Sequence, residues 1–370
     1  MGLFDLVVEK SALHPNFKRI MHDPYKKKVL VGWGDERLIN RDGNHKFIKE
    51  FQTTFNACFW ELYCYNILKE LGGKFDFNHE HPDFVVDLDG EIINIECVIA
   101  SNAKTTPEES NIYARFNEKK NLDDIVYDQT IRISNAFDSK YKKYIDKYSE
   151  KSWVKDKPFI IAIEPFDQPH FMLTGNEAMR LLLYGWEIEH ENLYDRKIDT
   201  IRKNIDSTLD MGVFLNPKYS DISGVLFSNT ATIGKVDAIG DDPDLTFGQI
   251  RYDLNYNRPQ ISVDSRLIQK KYDLRCKIIK EIFKKFENEF NKYTIRRPYI
   301  QWDVDYNENI FDGLMLFLNP YAKYPLPENI INMLHNNGVN IAKYDLEKNE
   351  DVWFACDCSL IQRVVIKLKR

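Results

Sequence analysis

Hydrophobic residues recur along this chain with two different periods, and the switch between them falls between Phe47 and Ser101. Phe47, Phe51, Phe55, Phe59, Leu62 and Tyr65 follow one another at three- and four-residue steps, the spacing of one helix face. Gly72-Gly73 ends that pattern, as helix-stop residues do. Phe84-Val85-Val86 then leads into Leu88-Asp89-Gly90, a tight-turn signal between two strands. From Glu91 to Ala100, Ile93, Ile95 and Cys97 alternate with Asn94, Glu96 and Val98, which puts the two sets on opposite faces of a strand. The segment predicts one helix followed by a hairpin.

The same reading extends along the chain. Ile133, Phe137, Tyr141, Tyr144 and Tyr148 give an apolar face to a helix over about Asp128 to Ser149, and Gln129, Arg132, Lys140, Lys143 and Lys147 follow a second stripe on it. Phe159-Ile160-Ile161-Ala162-Ile163 is a continuous apolar run, the signature of a strand buried on both faces. A helical segment near Glu177 to Tyr184 and a strand at Gly224 to Phe227 follow. Near the end, a long helix is expected over Leu267 to Tyr293, with strands at Leu314 to Leu318, Val352 to Cys356 and Val364 to Leu368. Residues 1–44 read as a lead-in of little regular pattern. It holds a short strand at Val29-Leu30-Val31 and a turn at Arg41-Asp42-Gly43-Asn44. The expected fold is α/β: a mixed central sheet flanked by helices over 45–237, with a C-terminal α+β extension over 238–370. The extension begins near the Ile239–Asp244 break and is either separate or packed on the core as one unit.

Composition narrows the function classes. The chain has 370 residues, 43% hydrophobic and 29% charged, the profile of a soluble globular protein. A formal charge of −6 gives no global attraction to nucleic acid or anionic membranes, so polyanion binding would need a local basic surface. No stretch has the length and apolarity of a membrane span, and the first residues, MGLFDLVVEK, lack the basic and apolar regions of a secretion signal. The six cysteines form no C-x-x-C pair, so reduced thiols in a cytoplasmic protein are expected. No P-loop, dinucleotide glycine fingerprint or G-x-S-x-G is present.

Three acids stand at telling places. Glu61 lies inside Phe59-Trp60-Glu61-Leu62-Tyr63, Asp83 opens a strand directly after Pro82, and Glu96 sits within Ile95-Glu96-Cys97-Val98. A carboxylate in apolar surroundings must be paired, hydrogen-bonded or bound to a cation. Two carboxylates on adjacent strands and a third on a flanking helix suit a hard cation such as Mg²⁺, with Mn²⁺ as substitute. Such an ion acidifies bound water and stabilises charge on a phosphate.

With Glu61, Pro82-Asp83 and then Glu96 in this order, residues 45 to 165 resemble the PD-(D/E)XK (restriction-endonuclease-like) nuclease superfamily. The resemblance implies a restriction-endonuclease-like core that cleaves phosphodiester bonds of nucleic acid, DNA first among them, with Mg²⁺. It carries over as Asp83, Glu96 and the Cys97 carbonyl holding the metal, with Glu61 in support. The sequence departs from the pattern two residues after Glu96, where Val98 stands in place of the motif lysine. The following helix lies near the metal in this fold, which makes Lys140 or Arg132 the candidate replacement cation. Gln129, Arg132, Lys143 and the loop residue Lys104 become candidate nucleic-acid contacts. The alternative is an inactive nuclease-like scaffold that binds nucleic acid or protein. His79 and His81, in H-x-H spacing, are turn residues or metal ligands, and Cys356-Asp357-Cys358 lacks the partners of a zinc site. Asp87, Asp89 and Glu91 belong to the hairpin turn.

Overall fold

The computed structural model describes residues 1–43, 45–101, 122–165, 171–189, 194–253, 298–302, 308–354 and 358–367. Helices α1 (Pro15–Ile20), α2 (Pro24–Trp33), α3 (Glu36–Asn40), α4 (Lys46–Thr53) and α5 (Phe55–Glu70) precede the hairpin region. Strands β1 (Lys74–Phe75), β2 (Phe84–Leu88) and β3 (Glu91–Ile99) lead to α6 (Leu122–Lys143), which ends in a π-helical turn at Tyr144–Tyr148. Next come β4 (Phe159–Glu164), α7 (Phe171–Tyr184), β5 (Trp186–Glu189), β6 (Tyr194–Lys197), β7 (Thr200–Asn204), β8 (Ser207–Asp210), β9 (Gly224–Ser228) and α8 (Ile233–Ile239). The chain continues through β10 (Leu245–Asp253), β11 (Pro298–Trp302), β12 (Leu314–Leu318), α9 (Glu328–Asn336), β13 (Asn340–Asp345), β14 (Glu350–Phe354) and β15 (Cys358–Lys367).

One mixed eight-stranded sheet, ordered β1-β2-β3-β4-β9-β12-β13-β14, forms the centre. β3, β4 and β9 run parallel to one another, and the flanking β2 and β12 run antiparallel to them. Side-chain alternation divides the core into two layers. Ile93, Ile95, Ile160, Ala162 and Leu316 pack with α1 to α5, while Ile161, Ile163, Phe227 and Phe317 pack with α6 and α7. All six residues of β4 are buried, as its unbroken apolar run predicts. Trp60 on α5 donates its Nε1–H to the Ala162 carbonyl at 3.0 Å, pinning that helix over the sheet centre. The expected α/β architecture is therefore present, and the hairpin turn has left-handed Asp89 (φ 53°) followed by Gly90 (φ 86°), as a tight hairpin requires.

Several expectations are corrected. The helix from Phe47 to Tyr65 is two helices broken at Thr54 (φ −123°). The Thr53 and Thr54 hydroxyls donate to the Lys49 and Glu50 carbonyls at 2.9 and 3.0 Å, a local competition that bends or ends helices. Residues 1–44 are not a patternless lead-in, and Val29-Leu30-Val31 lies in α2, not in a strand. The overlooked signals were caps: Asp23 accepts the Tyr25 and Lys26 N–H groups ahead of Pro24, and Asp35 accepts those of Arg37 and Leu38. Lys26 of α2 is paired with Asp237 of α8 at 2.6 Å. α6 begins earlier than Asp128, and the strand expected at Val352 is described as β14, Glu350–Phe354, with the remainder of its expected range outside the described residues. The hairpins β5–β6 and β7–β8 and the three-stranded sheet β11-β10-β15 were not anticipated. The helix expected over Leu267 to Tyr293, Lys104, Cys356 and Asp357 lie outside the described residues.

The Ile239–Asp244 break connects α8 to β10, and β12, β13 and β14, which come after it, lie in the same sheet as β1 to β4. Across this join Lys235 of α8 is wholly buried, with Nζ 2.6 Å from Glu308 Oε1 and 2.9 Å from the Asp312 carbonyl. Removing one partner of such a pair strands the other charge in the interior. We expect Lys235→Met to lower stability by about 3–5 kcal/mol in urea unfolding, with Lys235→Met/Glu308→Leu recovering much of the loss. An undiminished midpoint in the single variant would contradict this role.

Candidate active site

The end of the β2–β3 ladder brings the first two acids together. The last paired positions are Phe84 and Ile95. One step beyond, Asp83 Oδ2 accepts the Cys97 N–H at 2.7 Å. The N–H and C=O of one strand residue point to the same side, so the Cys97 carbonyl faces the Asp83 edge too. Glu96 follows its strand face into the interior and is 0% exposed. Its neutralisation comes from α6: Lys140 Nζ lies 2.6 Å and Lys143 Nζ 2.8 Å from the same oxygen, Oε1. The second oxygen, Oε2, is buried with no hydrogen bond. Lys140 and Lys143 are one helix turn apart, so both reach the same carboxylate.

Asp83 stands between Glu96 and Glu61. Burial, then the Glu96 charge, pushes the Asp83 carboxyl up to about 6, against the pull of Lys140. Burial, then Asp83, pushes Glu61 up to about 8, opposed by the Arg41 guanidinium. Glu96 goes the other way: burial alone would raise it, but Lys140 and Lys143 hold it below the ordinary carboxylate range. Burial opposes the charge on Lys140, yet Glu96 and Asp83 outweigh it and raise its pKa. Lys140 is therefore a cation and hydrogen-bond donor at neutral pH, not a proton acceptor.

Arg41, read in the sequence as a turn residue, proves to be the third cation. It is paired with Glu61, reaches the Asp83 carbonyl at 3.3 Å and Asp42 at 3.4 Å, and packs over Phe47 and Phe84. No sequence pattern links a turn at Arg41 to Glu61 and Asp83; only the folding of α4 and α5 does. Tyr148 was read only as an apolar residue. Its hydroxyl lies near Glu96, and burial followed by that charge pushes its ionisation upward.

Glu61, Asp83, Glu96, Lys140 and Lys143 thus converge, but other expected contacts do not. Gln129 is 1% exposed and takes the Thr174 hydroxyl on α7, so packing between helices leaves it no surface for a phosphate. Arg132 is half-buried on α6, about two turns before Lys140. Asp87 accepts the Gly90 N–H at 2.8 Å, as a hairpin residue. His79 stacks on Trp153 instead of joining the acids, while His81 lies near Lys143. Cys58 and Cys97 are buried thiols, as expected of core positions.

Among the described residues, no group of three His, Cys, Asp or Glu side chains forms a metal cage. The donor set fits a more open arrangement: two carboxylates, one with a buried unbonded oxygen, beside a strand carbonyl. Mg²⁺ commonly takes only one or two protein carboxylates and keeps several waters. No helix among the described residues is long and apolar enough to cross a membrane. No family model, curated protein or solved structure matches the chain.

The raised carboxyls fix a sign for pH dependence. Asp83 and Glu61 hold protons more tightly folded than unfolded, so stability falls as pH rises from the ordinary carboxylate range to about 8. Glu96 acts in the opposite sense, losing its contribution only as pH falls below that range. We expect the melting temperature to drop between pH 5.5 and 8.5 by an amount worth a few kcal/mol. Asp83→Asn should flatten the part below about pH 7. Arg41→Met should steepen the dependence by leaving Glu61 without its cation. A pH-independent melting temperature in the wild type would refute the assignment.

Proposed function

We propose that this protein is a divalent-metal-dependent nuclease with a restriction-endonuclease-like core, hydrolysing phosphodiester bonds of nucleic acid. The observation that carries the reading is the ammonium of Lys140 at 2.6 Å from Glu96. In this reading Lys140 of α6 takes the part of the lysine that the sequence lacks after Glu96. Further support comes from Asp83 at the adjoining strand end and Glu61 beyond it.

In this reading Asp83, Glu96 and the Cys97 carbonyl hold Mg²⁺, Glu96 through the oxygen that the lysines leave open. The bound ion would acidify a water and offset charge on the phosphate. Lys140, fixed by Glu96, has further protons with which to orient the attacking water and a phosphate oxygen. Lys143 adds positive charge where negative charge develops in the transition state. Glu61, with its raised proton affinity, supports the site through water. Arg41 keeps Glu61 and the Asp83 backbone in register.

A second reading has its own support. Three cations, Arg41, Lys140 and Lys143, face the three acids, so the cluster is balanced by the chain alone. That balance suits an inert scaffold as well.

Calorimetric titration with Mn²⁺ and Mg²⁺, alongside cleavage of plasmid and oligonucleotide substrates, separates the two. The nuclease reading expects binding and cleavage in the wild type and neither in Asp83→Ala/Glu96→Ala. Lys140→Ala should retain metal binding but lose about 10²–10³-fold in cleavage rate. A wild type that neither binds metal nor cuts would leave the scaffold.

A further inference from the structure

A chain of aromatic rings and lysines leads away from Glu96. Lys143, which bonds Glu96, also has its Nζ 5.7 Å from the Tyr148 ring centroid. The His81 ring lies 6.0 Å from Tyr148, and the His81 carbonyl accepts the Trp153 Nε1–H at 2.9 Å. His79 stacks on Trp153 with centroids 3.8 Å apart and planes within 1°. Lys151 Nζ stands 5.9 Å from the same indole. The histidine side chains keep 24% and 37% of their surface exposed, and Trp153 is half-buried.

The lysines along this row are of two kinds. Lys155 is paired with Glu150 at 2.7 Å. Lys147 and Lys151 are exposed and have no carboxylate partner among the described residues. They add local positive charge to a chain whose formal total is −6. Anchoring the loop before β2 accounts for the Trp153–His81 bond. It leaves the parallel His79–Trp153 pair at the surface, where His79 Nε2 also lies 3.4 Å from Asp76 Oδ2, beside two lysines without a carboxylate partner among the described residues and adjoining the acids.

We propose that His79, His81 and Trp153, with Lys147 and Lys151, form a platform for single-stranded nucleic acid that delivers a strand to the acid cluster. Nucleobases present π-faces only when unpaired or splayed, and rings interleaved with cations bind such strands with little dependence on sequence. A base would extend the His79–Trp153 stack, and the two lysines would take flanking phosphates. The substrate class is an unpaired strand, free or as an overhang, in deoxy or ribo form. This proposal rests on the nucleic-acid reading above but not on catalysis.

The test is binding without metal, in EDTA, followed by fluorescence anisotropy of labelled 20-nucleotide deoxy and ribo strands and of the matching duplex. The wild-type full chain should bind a single strand about 10-fold or more tighter than the duplex. His79→Ala should weaken strand binding about 5- to 100-fold, the range of one stacking contact, with little effect on the duplex. Lys147→Glu/Lys151→Glu, both exposed sites, should weaken binding and reduce its salt dependence. Strand binding should quench tryptophan emission in the wild type and less in Trp153→Phe, which retains a ring for packing. Equal affinity for strand and duplex, or full strand affinity in a folded His79→Ala, overturns the platform. The deoxy and ribo arms identify the sugar it prefers. Strand binding without cleavage in Mg²⁺ would uphold the platform and sink the nuclease; cleavage of duplex with no strand preference would do the reverse.

Discussion

Burial of the Glu96 carboxylate in the middle of a sheet is the constraint to which much else in this molecule answers. A charged group at 0% exposure is tolerated only with compensating charge and hydrogen bonds. Two ammonium groups on one oxygen supply them, and they are available because α6 crosses the sheet face with Lys140 and Lys143 one turn apart. Asp83, next to Glu96, cannot receive the same treatment. The Cys97 N–H and the field of Lys140 only partly offset burial and the Glu96 charge, so its proton affinity stays raised. Glu61 takes the residual strain and relies on Arg41. The acids therefore form a graded series, from one firmly ionised to one that holds its proton readily.

The scaffold keeps this series rigid. β3 and β4 are covered on both sides, by α5 with its neighbours and by α6 with α7. Trp60 ties α5 to the β4 backbone, while Tyr184 on α7 donates to the Leu318 and Ala342 carbonyls at 2.8 and 2.9 Å. Both helical layers are thus fastened to strand backbone as well as packed on apolar side chains. Side chains presented by regular elements hold functional geometry better than those on loops. Here Glu61, Glu96, Lys140 and Lys143 lie within helices or strands, and Asp83 directly precedes one.

Such an arrangement costs stability, and under the proposed function a bound cation would recover it. Like charges held close together lower fold stability, and a ligand that binds only the folded form recovers it by mass action. Functional sites commonly carry this kind of local strain.

Local pattern determined the hairpin, the buried β4, the apolar face of α6 and the α/β class, because each depends on alternation, a turn signal, an unbroken apolar run or a 3.6-residue repeat. It also marked Glu61 and Glu96, since a charge within an apolar run stands out wherever the run ends up, while Asp83 was marked by its place at the strand start after Pro82. The α2 and α3 caps were legible too, through Asp23-Pro24 and Asp35-Glu36, but these helices are too short for a clear period. Tertiary structure decided the rest. Lys140 and Lys143 meet Glu96 across 44 and 47 residues, and Arg41 meets Glu61 only through the break at Thr54. Gln129 shared their stripe yet is buried, because helical spacing gives a face and not its depth or partner. Sequence spacing fixes which residues share a face; which charges then become neighbours depends on how sheet and helices pack, and that is a property of the whole chain.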